Sequence, residues 1–95
     1  MAKSCELGEL NACSDLGIAL LLGQGLTADP ERGVRTLQKA CDAGGARACN
    51  NLATAYVNGV GGVTVDVGEG LRLAVKACDL GEQQGCNLAQ LLRGR

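Results

Sequence analysis

Two stretches of nine residues decide the fold of this chain: CDAGGARAC, from Cys41 to Cys49, and CDLGEQQGC, from Cys78 to Cys86. A related stretch, CELGELNAC, runs from Cys5 to Cys13, and the three segments hold all six cysteines. In each segment a glycine follows the first cysteine by three residues. Self-similarity at a fixed spacing is the signature of a repeat architecture, so we expect copies of one structural unit.

The length of the unit follows from the spacing of equivalent residues. Cys5 lies 36 positions before Cys41, which lies 37 positions before Cys78. The same offset, with one residue inserted near Gly59–Val63, relates further pairs: Leu16 and Leu52, Ala19 and Ala55, Gly23 and Gly59, Asp29 and Asp66, and Lys39 and Lys76. A period of about 36 residues is typical of solenoids built from helix pairs.

Each unit has the sequence pattern of two helices. Between Leu16 and Gly23, apolar or small residues recur at i, i+3, i+4 and i+7, which forms one face of a first helix. Asp29, followed by Pro30, and Asp66 are expected N-caps of the second helices. Glu69, three residues after Asp66, suggests a capping box. No segment alternates with period two, so the sequence predicts an all-α fold.

The glycines explain how cysteines eight positions apart could pair. On one continuous helix such residues are about 12 Å apart, whereas a disulfide needs Cα atoms within about 7 Å. A left-handed helix C-cap at Gly8, Gly44 and Gly81 would supply the turn. Repeat symmetry then favours three pairs, each joining one helix pair to the next: Cys5–Cys13, Cys41–Cys49 and Cys78–Cys86.

Other interpretations of the cysteines stay open at this stage. Six cysteines allow fifteen pairings, and sequence alone does not choose among them. Structural zinc prefers ligands two to four residues apart, often with histidine; here each segment separates its cysteines by seven residues and the chain has no His. Three reduced cysteine pairs are the remaining alternative, in a reducing compartment.

Composition excludes several classes of function. The net charge is −1 and no run of like charges exists, so we expect no nucleic-acid partner. The longest nearly apolar stretch, LGIALLLG, is far shorter than the roughly 20 residues of a membrane span. The GVGG segment lacks the Gly-Lys-Ser/Thr ending of a phosphate loop. We expect no cofactor, no metal ligand and no catalytic residue.

The segments KACDAGGARACNNLATAYVNGVGG and KACDLGEQQGCNLA resemble the Sel-one-like repeat, in its cysteine-rich Hcp-type branch. The resemblance implies an α/α right-handed superhelical solenoid of tetratricopeptide-like helix pairs, stapled by one disulfide per repeat. It also implies an oxidising compartment, secreted or periplasmic, with the mitochondrial intermembrane space as the alternative. The expected domain is 1–95, with full repeats at 10–43 and 46–80, a preceding helix end, and a single C-terminal helix at 83–93.

Two classes of function follow from the resemblance. Some cysteine-rich relatives have been described as penicillin-binding or β-lactamase proteins, but such chemistry usually needs Ser-x-x-Lys. The only serines, Ser4 and Ser14, are followed three residues later by Leu7 and Gly17. The chain is therefore expected not to be an enzyme, and the hydrolase stays as the alternative.

The expected function is a scaffold that binds a protein or peptide on its concave face. If one face of each first helix contacts its partner helix, the opposite faces carry the binding residues: Asp15, Ile18, Leu22, Asn51, Thr54, Asn58, Asn87 and Gln90. A further hypothesis is that the chain is a portion of a longer array, or that it self-associates through ends where Leu88, Leu91 and Leu92 would face water.

Overall fold

The structure is a computed structural model that describes residues 8–94. In this range it contains α-helices at α1 (Leu10–Leu22), α2 (Pro30–Asp42), α3 (Ala46–Asn58), α4 (Val67–Asp79) and α5 (Gln83–Arg93). A single 3₁₀ turn, Val60–Gly62, lies between α3 and α4, and no strand occurs among the described residues. The predicted all-α fold is confirmed.

The helices form two rows. α1 packs against α2 and α3 packs against α4, so each repeat is a helix pair. α1 also contacts α3, and α3 contacts α5, which places the first helices of successive repeats side by side. Within residues 8–94, α2 and α4 have no comparable contact with each other. The first helices of successive repeats are therefore closer together than the second helices; the row α1, α3 and α5 is called the inner row below, and the row α2 and α4 the outer row.

The second helices begin where the capping residues predict. The Asp29 carboxylate accepts a hydrogen bond from the backbone N–H of Arg32 at 3.2 Å, and Pro30 fills the first helical position. Asp66 accepts in the same way from the N–H of Glu69 at 3.0 Å. Each bond satisfies one of the donors left unpaired at a helix start. The predicted N-caps are confirmed.

The capping box expected at Glu69 does not form. Its carboxylate instead accepts hydrogen bonds from the guanidinium of Arg72, three residues further along α4. In a capping box the Glu69 carboxylate would accept a hydrogen bond from the backbone N–H of Asp66. That N–H instead donates to the carbonyl of Tyr56 at 2.9 Å. That bond also ties the start of α4 to the end of α3.

The helix pairs are joined at glycine turns, each closed by a disulfide. Cys41–Cys49 has its Cα atoms 4.6 Å apart, and Cys78–Cys86 has them 4.5 Å apart. The turns pass through Gly44, with φ of 95°, and Gly81, with φ of 100°, a left-handed conformation that favours glycine. The predicted disulfide-stapled helical repeat is confirmed at these two junctions.

The predicted bridge at the first junction involves Cys5, which lies outside the described residues. Its predicted partner, Cys13, is a buried residue of α1. Gly8, the glycine of that segment, has the expected positive φ of 89°.

The core is built from leucine and alanine in close contact. Leu37, Leu52 and Leu73 are completely buried at the centre of the two helix pairs. Because no aromatic ring is among the buried core residues of 8–94, the helices must approach closely to exclude water. Gly85 shows how closely: a Cβ at this position would lie 2.7 Å from the Cβ of Ala77 on α4. Small residues at the crossing points therefore fix the distance between helices.

Candidate functional site

A groove of about 740 Å³ crosses the inner row of helices and is the candidate binding site. Residues of α1, of α3 and of the start of α5 line it. Its lining residues are Asp15, Ile18, Ala19, Gln24, Arg47, Asn51, Glu82 and Gln84. Most of these side chains are polar, and Ile18 and Ala19 supply the apolar part.

Three of the predicted inner-face residues line this groove: Asp15, Ile18 and Asn51. Asp15 is exposed on α1, whereas Ile18 and Asn51 are half-buried. Asn51 occupies the position in α3 that Asp15 occupies in α1, one repeat apart. The structure thus brings together residues that the sequence placed on equivalent faces.

Three further predicted residues lie on α1 and α3 but do not line the groove. Leu22 and Asn58, at the C-terminal ends of their helices, are both exposed. The hydroxyl of Thr54 is directed to its own helix, since it donates to the carbonyl of Asn50 at 3.1 Å. These residues lie beyond the groove toward the helix ends.

The register of α5 differs from the one on which the prediction for the third repeat depends. Ala89 is buried at the position equivalent to Leu52, so Leu88 and Leu91 correspond to Asn51 and Thr54. The predicted Asn87 and Gln90 each lie one position before these residues, because the prediction aligns Leu88 with the core leucine of the earlier repeats.

The side chains of Asn87 and Gln90 have other surroundings. Asn87 is exposed and accepts a hydrogen bond from Gln83 at 3.2 Å. Gln90 lines a separate cavity between α4 and α5, together with Val75 and Cys78. Neither residue lines the groove.

The sequence suggested that Leu88, Leu91 and Leu92 of α5 would all face water, but the structure exposes them to different degrees. Leu92 is buried and Leu88 is half-buried against the core, so both contribute to packing. Leu91 is 59 % exposed. Of the three leucines, only Leu91 presents a largely free apolar surface.

Side-chain amides connect the three inner helices beneath the groove. Asn51 on α3 donates to the hydroxyl of Ser14 on α1 at 2.6 Å. Asn50, the next residue, donates to the side-chain oxygen of Gln84 on α5 at 3.3 Å. Ser14 and Asn50 are equivalent positions, so the earlier helix uses the same position of the repeat in both bonds. Ser14 is buried in this contact.

The charges of the groove are mixed. Asp15 and Glu82 supply carboxylates, and Arg47, at the first turn of α3, supplies a guanidinium. Arg47 is exposed, so its five N–H donors can reach a bound molecule. The groove can therefore receive both a basic and an acidic group of a partner.

Arg47, Glu82, Gln84, Gln24 and Ala19 were not among the predicted residues. Arg47 lies four residues before Asn51 on the same helix face, so extending that face by one turn toward the N-terminus identifies it. Gln84 is its equivalent in the third repeat. Glu82 and Gln24 lie outside the helices, and no periodic signal marks them.

An ion pair on α4, away from the groove, shifts the pKa of both its members. On α4, the hydrogen bond from Arg72 holds the pKa of Glu69 below its ordinary value, and the same bond raises the pKa of Arg72. Both are surface residues, so we expect the pair to add little to stability.

The described residues show no arrangement for metal binding, since no group of three or more His, Cys, Asp or Glu side chains converges in residues 8–94. In the same range, no helix has the length and apolar character required to cross a membrane.

Comparison with known proteins identifies the repeat. The family model of the Sel1 repeat matches residues 10–45 and matches again at residues 46–82. Each match contains one helix pair and the glycine turn that follows it. Neither a curated protein nor a solved structure matches the chain.

Proposed function

Because the chain belongs to the Sel1 repeat family, whose tetratricopeptide-like repeats generally act as protein–protein interaction modules, we propose that it is a non-catalytic scaffold. In this proposal an extended segment of a partner protein binds in the groove across α1, α3 and α5. Its assignment to the cysteine-rich branch stays a prediction.

The observation that carries the proposal is the polar groove that spans all three inner helices. Small-molecule pockets are lined mainly by apolar and aromatic side chains. This groove has only Ile18 and Ala19 as its apolar lining, beside six polar or charged side chains. A peptide, which carries polar groups along its whole length, suits such a lining better than a compact apolar ligand.

The amides of the groove can bind a peptide backbone. Asn51 uses its NH₂ group to bond Ser14, so its side-chain carbonyl can accept from a peptide N–H. Gln84 uses its carbonyl to accept from Asn50, so its NH₂ group can donate to a peptide carbonyl. One acceptor and one donor on neighbouring helices match the alternating groups of an extended chain.

The size of the bound segment follows from the spacing of the helices. Packed helices lie about 8–10 Å apart, so three in a row span roughly 16–20 Å. An extended chain rises about 3.3 Å per residue. The groove therefore accommodates a segment of about five or six residues.

Selection of peptides from a displayed library on the oxidised protein tests this proposal. We expect selected peptides to lose at least roughly tenfold in affinity, equal to about 1.4 kcal/mol, for Arg47→Glu and for Asp15→Lys. Lys39→Glu is the matched control, because Lys39 is an exposed cation on α2 outside the groove. Circular dichroism shows whether each variant keeps the parent's helix content.

The same affinity measurements can contradict the proposal. If the selected peptides bind both groove variants as tightly as the parent, and only Lys39→Glu weakens them, the binding surface lies on the outer row. Turnover of a general ester or lactam substrate, abolished by a groove variant, would instead support the hydrolase alternative.

The compartment is a separate proposal. Two cysteine pairs at disulfide distance are consistent with an oxidising environment. We therefore propose a secreted, periplasmic or intermembrane-space setting. Fractionation of the source cells, with thiols trapped before lysis, tests it: a fully reduced chain in the cytosolic fraction would contradict it.

A further inference from the structure

The two described disulfides differ in their access to solvent. Cys41 and Cys49 are both completely buried in the core. Cys78 and Cys86 are half-buried, and both line an open cavity of about 390 Å³. The two bridges occupy equivalent positions one repeat apart, so this difference arises from their surroundings and not from the local turn.

The difference follows from what covers each bridge. α4 packs along α3 beyond the first bridge, and Lys76 of α4 reaches back to Asp42, next to Cys41, at 3.6 Å. Asp79 is the equivalent of Asp42 beside the second bridge, but there it lines the open cavity.

The cavity beside the second bridge is lined by one cation, Arg93, and one carboxylate, Asp79, while Val75 and Ala89 give an apolar wall. A nearby cation such as Arg93 stabilises a thiolate and so favours the attack on a disulfide, whereas the carboxylate of Asp79 opposes it. A volume of 390 Å³ lies within the range of pockets that hold small molecules.

We propose that Cys78–Cys86 is a thiol–disulfide exchange site for a small thiol of tripeptide size, whereas Cys41–Cys49 is purely structural. A thiolate R–S⁻ attacks one cysteine sulfur, the S–S bond breaks, and the other cysteine leaves as a thiolate that takes up a proton. A second R–S⁻ attacks the mixed disulfide and releases R–S–S–R and the second cysteine thiol. Two thiols are oxidised, and one disulfide is reduced to two thiols.

Thiol–disulfide exchange at this site would loosen the attachment of α5 to α4. The bridge ties the first turn of α5 to the last turn of α4 across the Gly81 bend. Once it is open, α5 is held by packing alone and its backbone amides should exchange faster. Because Glu82 and Gln84 line the inner groove, opening would also change the groove, a consequence that rests on the proposed function.

The test is differential alkylation of the oxidised full chain under native conditions. The protein is incubated with reduced glutathione, samples are quenched with N-ethylmaleimide, and tryptic peptides are analysed by mass spectrometry. Peptide 77–93 carries both Cys78 and Cys86, whereas Cys41 and Cys49 fall on peptides that Arg47 separates. In 6 M guanidinium the two bridges should react at similar rates, which gives the reference for intrinsic reactivity.

We expect native labelling of 77–93 to be at least roughly tenfold faster than labelling at Cys41 and Cys49, because those sulfurs react only after larger unfolding. Arg93→Glu should slow the labelling, which is read on peptide 77–95 because this variant lacks the tryptic site at residue 93, and Lys39→Glu should not slow it. Hydrogen exchange should then rise in 83–93 but not in 46–58.

Equal labelling rates of the two bridges in the native protein, or earlier labelling of Cys41 and Cys49, would overturn the proposal. An unchanged labelling rate in Arg93→Glu, together with unchanged hydrogen exchange in α5, would also overturn it. None of these measurements uses a partner, so a failure of the peptide experiment would leave the exchange site unaffected.

Discussion

Replacing Gly85 with alanine tests how closely α5 packs against α4. The added Cβ would lie 2.7 Å from the Cβ of Ala77, 2.9 Å from the carbonyl oxygen of Ala74 and 3.0 Å from the backbone nitrogen of Cys78. All three atoms belong to the backbone of α4 or are fixed directly to it. No side-chain rotation relieves the contact, so α5 has to move away from α4.

The magnitude follows from two opposing effects. Overpacking a well-packed interface costs about 1–3 kcal/mol. Removing a glycine from a helix interior returns roughly 0.5–1 kcal/mol. The difference between the middles of the two ranges predicts that Gly85→Ala lowers the free energy of unfolding by about 1.3 kcal/mol. At about 4–8 °C per kcal/mol for a domain of this size, the melting temperature should fall by roughly 5–10 °C.

The assay is thermal and urea unfolding followed by far-ultraviolet circular dichroism, on oxidised protein. Gly68→Ala is the matched control, because its Cβ meets nothing closer than the Asp66 carboxylate at 3.5 Å. That variant should equal or exceed the parent in stability. A Gly85→Ala protein as stable as the parent, or an equal loss in Gly68→Ala, would refute the close-packing explanation.

Three further predictions concern single contacts. Leu52→Ala, at a completely buried site, should cost about 2–5 kcal/mol in urea unfolding; a loss below about 1 kcal/mol would contradict its central position. Asp66→Ala should cost roughly 1 kcal/mol through loss of the helix cap, whereas Asp15→Ala should be neutral; equal effects would show that the cap is not the cause. An NMR titration of Glu69 should give a pKa below 4.5, and this pKa should rise in Arg72→Gln. The small stability gain from this pair should be lost as the pH falls through the pKa of Glu69 in the folded protein. A pKa at or above 4.5 would contradict the ion pair.

Much of the fold follows from local chemistry in the sequence. Asp29 and Asp66 sit where a helix must satisfy its first N–H groups, and Gly44 and Gly81 sit where the chain must adopt positive φ. Such requirements involve only a few neighbouring residues, so a sequence pattern can show them. The 36-residue repeat then places each unit beside the next.

The groove depends on contacts that a single helix does not show. Ala89 occupies the core position at which the earlier repeats have leucine, so the leucine pattern alone does not give the register of α5. Glu82 and Gln84 reach the groove only because α5 packs beside α3. Glu69 bonds Arg72 because Tyr56 already satisfies the backbone group that a capping box would use. Each of these outcomes is decided by packing between elements.

The central claim is that disulfides at the glycine bends join successive helix pairs into one array. Peptide mapping of the unreduced protein tests it most directly, since trypsin cuts between Cys41 and Cys49 at Arg47, and a glutamate-specific protease cuts between Cys78 and Cys86 at Glu82. We predict that the fragments on either side of each cut stay linked, and separate only on reduction with a gain of two hydrogens per bridge. Free thiols at these cysteines, or links from one segment to another, would contradict the claim.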